Sequence, residues 1–110
     1  MNADAPRDPV ASTDRCTAEF VDGVLVVQGE VDAETAPDLV RTLCELTVGP
    51  GPRRIDLSGV RFIDSRGIEA LFALASDDLE IIVGAGSLVE RVLHTVGLDL
   101  VAKLRPRTAP

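Results

Sequence analysis

Aromatic residues are scarce in this sequence, which holds three Phe and neither Trp nor Tyr. Nucleobase stacking needs exposed aromatic rings, so their scarcity argues against a single-stranded nucleic acid binder. Positive charge is scarce too: 11 Lys and Arg stand against 18 Asp and Glu, a net charge of −7. Phosphate backbones demand clustered Lys and Arg, and no basic run offsets the acidic balance. We therefore expect no nucleic acid partner.

Cysteines and long apolar runs are also few. The two cysteines, Cys16 and Cys44, lie far apart and lack the spacing of a metal or redox motif, so we expect packed free thiols. No apolar run approaches the roughly 20 residues that span a bilayer. The first residues lack the apolar stretch of a signal peptide. These absences predict a cytoplasmic protein without direct membrane contact.

The usual constellations of catalytic residues are missing as well. The only histidine, His94, falls late on a predicted helix, so a serine nucleophile has no clear imidazole base. The Gly-x-Ser-x-Gly elbow and the phosphate loop are absent, which also weakens a nucleotide-binding interpretation. Asp56 and Asp64 form a conceivable carboxylate pair, but the sequence shows no substrate pocket. With no His and Cys cluster for a metal, the sequence predicts neither an enzyme nor a bound cofactor.

What the chain does contain is an alternation of strand and helix patterns in 110 residues, 45% of them apolar. Two β-prone runs, residues 16–21 and 24–28, flank Asp22-Gly23, a pair that suits the positive φ angles of a tight hairpin. The full order is ββαβαβα, with a weak final strand near residues 100–104. This order predicts one α/β domain with a mixed, mostly parallel sheet of four to five strands and three helices. Residues 1–14 and 105–110 are predicted to be disordered tails around a domain at 15–104.

Local signals place the helix boundaries. The first helix is predicted to begin with Thr35 as its cap, to continue through an apolar repeat over residues 39–46 and to end at 49–52. A loop at residues 58–59 is predicted within the middle strand. The third helix begins with the capping box Ser87-x-x-Glu90 and ends at Gly97. The second helix is predicted to present one apolar face, made of Ile68, Leu71, Phe72 and Ala75.

Polar residues cluster around the middle strand, at Asp56-Leu57-Ser58 and at 64–67, with Asp32 after an earlier strand. Open α/β sheets tend to place their sites at the carboxyl ends of strands. Ser65 stands at a predicted helix N-terminus, where backbone amides favour an anion and a phosphate would add about −1.5 to −2 charges. Ser and Asp are also the commonest helix caps, so a purely structural role stays open on these residues alone.

A resemblance extends this interpretation. The run IDLSGVRFIDSRGI at residues 55–68 resembles the signature of STAS domains, specifically of bacterial anti-sigma factor antagonists. GEVD at 29–32 with TAP at 35–37, and RVLHTVGL at 91–98, are similar to two further family segments in the same order. The likeness covers roughly residues 15 to 104, so the expected fold is STAS-like.

The resemblance implies a partner-switching regulator. Such an antagonist binds an anti-sigma factor that is also a serine kinase and thereby frees the sigma factor. The kinase phosphorylates a serine at the start of the second helix, and a PP2C-type phosphatase reverses the modification. Ser65 matches that serine and follows the family's Asp, here Asp64, while Asp32 and Asp56 match acidic positions expected to flank and support the site. ATP and Mg²⁺ belong to the kinase, so the chain itself needs no cofactor, and nothing demands more than a monomer.

Three departures from the family affect the expected docking face and the chain end. Arg66 replaces a small hydroxyl residue and is expected to pair with a phosphate on Ser65 or to alter partner choice. The segment from Gly67 to residue 79 is short, and little room is left for a final helix. Ser58, Arg66 and Gly67 join the expected partner-binding set, with Leu74 or Phe72 supplying apolar contact. The alternative function is a non-catalytic STAS accessory subunit of a membrane transporter.

Overall fold

The structure is a computed structural model that describes residues 11–12, 16–38, 41, 53–76 and 78–108. The strands in these ranges are β1 (Ala11–Ser12), β2 (Cys16–Val21), β3 (Val24–Val31), β4 (Arg53–Ile63), β5 (Leu79–Gly84) and β6 (Lys103–Arg107). Helical residues 36–38 and 41 belong to α1, followed by α2 (Ser65–Leu74), α3 (Leu88–Thr95) and a 3₁₀ turn (Leu98–Leu100). The apolar repeat and terminating prolines predicted for the rest of α1 lie outside the described residues.

The strands form one sheet in the order β1-β2-β3-β4-β5-β6. β2 is antiparallel to both of its neighbours, β1 and β3, whereas β3 through β6 run parallel. Asp22 and Gly23 join β2 to β3 with φ angles of 51° and 80°, the left-handed pair that a type I′ hairpin requires. The predicted mixed, mostly parallel α/β sheet is confirmed, but it has six strands where four to five were predicted.

The two faces of the sheet differ in chemistry because side chains alternate along each strand. One face carries the core and packs against the helices, with Leu25, Ile55 and Ile81 at most 1% exposed. Leu71 of α2 and Leu93 of α3 belong to the same cluster. The other face carries most of the charged strand residues, and we call it the open face. It comprises Thr17, Glu19, Val21, Val24, Val26, Gln28, Arg54, Asp56, Glu80, Ile82, Lys103, Arg105 and Arg107.

Helix α3 follows the predicted boundary chemistry. The Ser87 hydroxyl accepts a hydrogen bond from the Glu90 amide at 3.1 Å. The Glu90 carboxylate accepts from the Gly86 amide at 2.7 Å, one residue earlier than in the standard capping box. Gly97 follows the helix with φ 83°, the left-handed conformation predicted for it.

Several predicted boundaries are corrected by the structure. The predicted loop at 58–59 is instead part of a continuous β4, whose pairing with β3 absorbs two register shifts. The final strand lies at Lys103–Arg107, because the chain first makes the 3₁₀ turn. It reaches into the predicted C-terminal tail since residues 105–107 pair with β5. Likewise, Ala11–Ser12 pairs with β2 inside the predicted N-terminal tail. The remaining tail boundaries stay predictions.

Candidate functional site

The entry to α1 is fixed by Asp32, which follows β3 and is 8% exposed. Its carboxylate accepts hydrogen bonds from the amides of Glu34 at 3.0 Å and Thr35 at 3.2 Å. The Thr35 hydroxyl accepts in return from the Asp32 amide at 3.0 Å. This reciprocal pair is a capping box across the turn at residues 33–35 that leads into α1, so Asp32 shares with Thr35 the capping that was predicted for Thr35 alone. The role of Asp32 seen here is to orient the start of α1.

The start of α2 lies beside it. β3 and β4 are parallel neighbours, so their carboxyl ends meet at one edge, and the Asp64 amide donates to the Val31 carbonyl at 3.1 Å. Asp64 is the cap of α2: its carboxylate accepts from the amides of Arg66 and Gly67, both at 3.0 Å. Its carbonyl accepts from the Ile68 amide at 3.0 Å. The Asp64 carboxylate thus already provides the negative charge that a helix N-terminus favours.

Gly67 lets α2 approach the ends of β3 and β4 closely. A Cβ atom on Gly67 would lie 2.6 Å from Cγ1 of Ile63 and 2.9 Å from Cγ1 of Val31, closer than real carbon contacts. Any larger side chain would push the helix start away from the sheet edge. In this structure Gly67 positions the residues before it, while its role in partner binding stays a prediction.

Ser65 is the first residue of α2 and is exposed. Arg66 is also exposed and makes no hydrogen bond through its side chain within the described ranges. Beside them lies a groove of about 450 Å³ between the starts of α1 and α2. Small and apolar residues form much of it, and two arginines and a glutamate add charge. Its lining residues are Ala33, Ala36, Pro37, Arg41, Arg66, Glu69 and Ala70.

This groove was missed by the sequence analysis except for Arg66. Its small residues lie on two helices distant in sequence, and only the parallel pairing of β3 with β4 brings the helix starts together. The expected apolar contacts on α2 are also revised. Leu74 is 4% exposed and belongs to the core, whereas Phe72 is 39% exposed. Phe72 is thus the member of this pair available for contact.

Asp56 and Ser58 lie elsewhere, and their expected place beside Ser65 is wrong. Seven residues separate Asp56 from Asp64, and Asp56 pairs with Val26 whereas Ile63 pairs with Val31, so Asp56 lies five paired positions, about 17 Å, before the end of β4. The Asp56 carboxylate accepts hydrogen bonds from the Ser58 amide at 2.8 Å and the Ser58 hydroxyl at 2.6 Å. Its second oxygen meets Arg107 at 2.9 Å. Asp56 therefore anchors β6 on the open face, while Asp32, Asp64, Ser65, Arg66 and Gly67 form the candidate site.

Cys16 lies behind the start of α1. Burial raises the pKa of its thiol, and the nearby Asp32 charge adds to that effect, while a hydrogen bond with Thr35 opposes it. Such a thiol is protonated at neutral pH and unreactive, as expected for a packed cysteine. Cys44 lies outside the described residues.

Neither a metal-binding cluster nor a membrane-spanning helix is present in the described ranges. In them, no group of three or more His, Cys, Asp and Glu side chains gathers as a metal site would. No helix there is both long and apolar enough to cross a bilayer.

Comparisons with known proteins define the class. The family described as "MlaB, STAS domain" matches residues 15–106. The chain therefore belongs to the STAS domain family. The crystal structure of an anti-sigma factor antagonist from Mycobacterium paratuberculosis superimposes with a TM-score of 0.68 at 31% identity. The match covers 88% of this chain and 91% of that one. The resemblance to STAS anti-sigma factor antagonists is thus confirmed, and no curated protein matches the chain.

Proposed function

We propose that this chain is an anti-sigma factor antagonist that binds an anti-sigma factor with serine kinase activity and so releases a sigma factor. Phosphorylation of Ser65 switches binding off, and a PP2C-type phosphatase restores it. The observation that carries the proposal is the placement of Ser65: exposed, at the first position of α2, and next to Arg66, which lines the groove. The similar crystal structure of an anti-sigma factor antagonist supports the partner class.

The geometry gives the switch a physical basis. Asp64 already accepts hydrogen bonds from two amides at the start of α2, so a phosphate on Ser65 cannot take them without displacing that carboxylate. The phosphate therefore adds its charge of about −1.5 to −2 to the surface rather than to the helix cap. At a docking surface, a misplaced like charge or an unpaired desolvated charge costs several kcal/mol, and each 1.4 kcal/mol is a tenfold change in affinity.

In this proposal the chain is the substrate of the kinase and performs no catalysis itself. ATP and Mg²⁺ would be held by the kinase, and the proposed setting is the bacterial cytoplasm, with the chain acting as a monomer. Asp32 and Asp64 contribute by orienting α1 and α2, and Phe72 adds exposed apolar surface on the same helix as Ser65.

The test is binding by the full chain in four forms: wild type, Ser65→Ala, Ser65→Asp and the matched control Thr17→Asp. Thr17 is exposed on β2, so its substitution adds the same charge away from the groove. Bound proteins of the host are identified by mass spectrometry, and the affinity of the recovered kinase is then measured. We expect an anti-sigma kinase to bind every form except Ser65→Asp, and to phosphorylate wild type but not Ser65→Ala.

Two outcomes would contradict the proposal. One is equal binding of the kinase by all four forms, which would leave Ser65 as an ordinary first residue of α2. The other is recovery of a transporter subunit and no kinase, which would favour the alternative function as an accessory subunit.

A further inference from the structure

The open face carries a second arrangement of charges that the proposed function does not use. Its centre is Glu80 on β5, which is 9% exposed. One carboxylate oxygen of Glu80 lies 3.0 Å from Nε of Arg54, and the other lies 3.0 Å from Nη2 of Arg105. Asp56 pairs in the same way with Arg107 at 2.9 Å. Three arginines on two strands are thus held by two largely buried carboxylates.

The arginines themselves remain open to solvent. The side chains of Arg54, Arg105 and Arg107 are 50%, 69% and 62% exposed, whereas those of Glu80 and Asp56 are 11% and 8% exposed. Each guanidinium group has five N–H donors, so one ion pair leaves several donors free. Because the carboxylates fix the arginine positions, an anionic ligand would meet donors that are already oriented.

Lys103 adds a further positive charge beside these ion pairs. We call the whole group the strip, and it comprises Arg54, Asp56, Glu80, Lys103, Arg105 and Arg107. Lys103 is exposed at the start of β6 and has no ion-pair partner among the described residues. The four cations and two carboxylates of the strip sum to +2, in a chain whose total is −7. The remainder of the chain therefore carries a net charge of −9, so the strip is a positively charged patch on an acidic protein. Val26 and Ile82, both half-buried, lie on the same face between the charged side chains.

We propose that this strip on β4, β5 and β6 is a docking surface for an acidic segment of a second protein, one that also presents an apolar side chain to Val26 or Ile82. The charge complementarity just described identifies the ligand chemistry. Pro106 indicates how the segment lies. Alternate residues of β6 point their amides away from β5, and Pro106 stands at such a position without an N–H group. The segment thus rests on the face rather than adding a strand at the edge.

A protein segment fits this strip better than a membrane or a second copy of the chain. An anionic bilayer is an extended negative surface, and the net charge of −9 on the rest of the chain would repel it. A large net charge of one sign likewise opposes self-association. A short acidic segment approaches only the strip and experiences mainly its local positive charge, since charges more than about 8–10 Å away are screened at physiological salt.

The test uses the full ¹⁵N-labelled chain and two synthetic peptides, one with four Glu around a central Leu and one with four Lys in their place. Backbone amide shifts report where each peptide binds. We expect the acidic peptide to shift residues of β4–β6 on the open face, weakly and less at higher salt, and the basic peptide to leave them unchanged. The variant Lys103→Glu should weaken acidic-peptide binding by about fivefold, as expected when one exposed attraction becomes a repulsion.

Arg91→Glu is the matched control because Arg91 is an exposed arginine on α3, on the other side of the sheet. It should leave the affinity for the acidic peptide within about twofold of wild type. The proposal is overturned if Lys103→Glu binds as well as wild type or if Arg91→Glu weakens binding equally. It is also overturned if vesicles of anionic lipid bind where the peptide does not, or if the free chain self-associates through this face. None of these readouts depends on Ser65, so the proposed function stands or falls separately.

Discussion

Replacing Gly67 with Ala is the most direct perturbation of the candidate site. Gly67 is buried in the first turn of α2, where the helix meets the ends of β3 and β4. The added methyl group would lie 2.6 Å from Ile63 and 2.9 Å from Val31, both buried side chains branched at Cβ. Such side chains have few rotamers to escape into, so the helix start must move instead.

The expected magnitude is a balance of two effects. Overpacking a close contact costs about 1–3 kcal/mol, and the two contacts here place the change at about 3 kcal/mol. Replacing glycine by alanine within a helix contributes about 1 kcal/mol in the opposite direction. The net loss in the free energy of unfolding is therefore about 2 kcal/mol. For a domain of this size, that corresponds to a decrease in Tm of roughly 10 °C.

Urea unfolding and calorimetry of wild type and Gly67→Ala measure this loss. Val31→Ala supplies the control, because it removes the Val31 methyl group, one of the two carbon atoms that the added methyl group would contact too closely, at its own cost. If the clash is the cause, the double variant Gly67→Ala/Val31→Ala loses less stability than the sum of the single variants. A Gly67→Ala protein as stable as wild type, or strictly additive losses, would refute the close-approach argument. The same variant should also weaken kinase binding, since Ser65 moves with the helix start.

Two further predictions concern the residues around that edge. Asp64→Ala should reduce the free energy of unfolding by about 1–2 kcal/mol, because two amides lose their acceptor, whereas Asp64→Asn should retain most of the stability; equal losses in urea unfolding would contradict the capping role. The raised pKa of Cys16 means that the folded state keeps its proton at a pH where the unfolded thiol, with a pKa of about 8.5, has lost it. The contribution of the protonated Cys16 thiol to the free energy of unfolding is thus complete below about pH 8.5. Above that pH the contribution declines by at most about 1.4 kcal/mol per pH unit. Urea unfolding between pH 7.5 and 9.5 should show a steeper decline for wild type than for Cys16→Ala, and parallel curves would contradict this.

Local chemistry in the sequence was enough to predict much of the fold. The hairpin at Asp22-Gly23 was predictable because few residues tolerate two successive positive φ angles. The start and end of α3 were predictable because Ser87 and Gly97 satisfy backbone groups within one turn of the chain. Where the prediction failed, the deciding interaction was distant. Residues 105–107 look like a tail by composition, yet they pair with β5 and their arginines find Glu80 and Asp56.

The residues of the candidate site likewise include some that the sequence could place and some that it could not. Asp64 and Ser65 could be placed at a helix start from sequence, since cap and first position are adjacent residues. Asp56 could not be placed correctly, because its position on the surface depends on the continuity of β4. A strand that is interrupted at residues 58–59 and one that continues place Asp56 differently. An uninterrupted strand keeps Asp56 opposite Val26, about 17 Å before the end of β4, and gives it a different partner, Arg107. The groove depends on the pairing of β3 with β4, which no single segment encodes.

The two proposed surfaces lie on opposite sides of one sheet, and this arrangement has a consequence for regulation. The groove lies between helices that pack on the core face, while the arginine strip lies on the open face. Because Asp64 already holds the amides at the start of α2, a phosphate on Ser65 changes surface charge with little effect on the helix cap. Asp56 of the strip lies about 17 Å before the end of β4, and exposed charges further apart than about 8–10 Å are largely screened at physiological salt. Under both proposals, Ser65→Asp should therefore release the kinase while leaving the affinity for the acidic peptide unchanged.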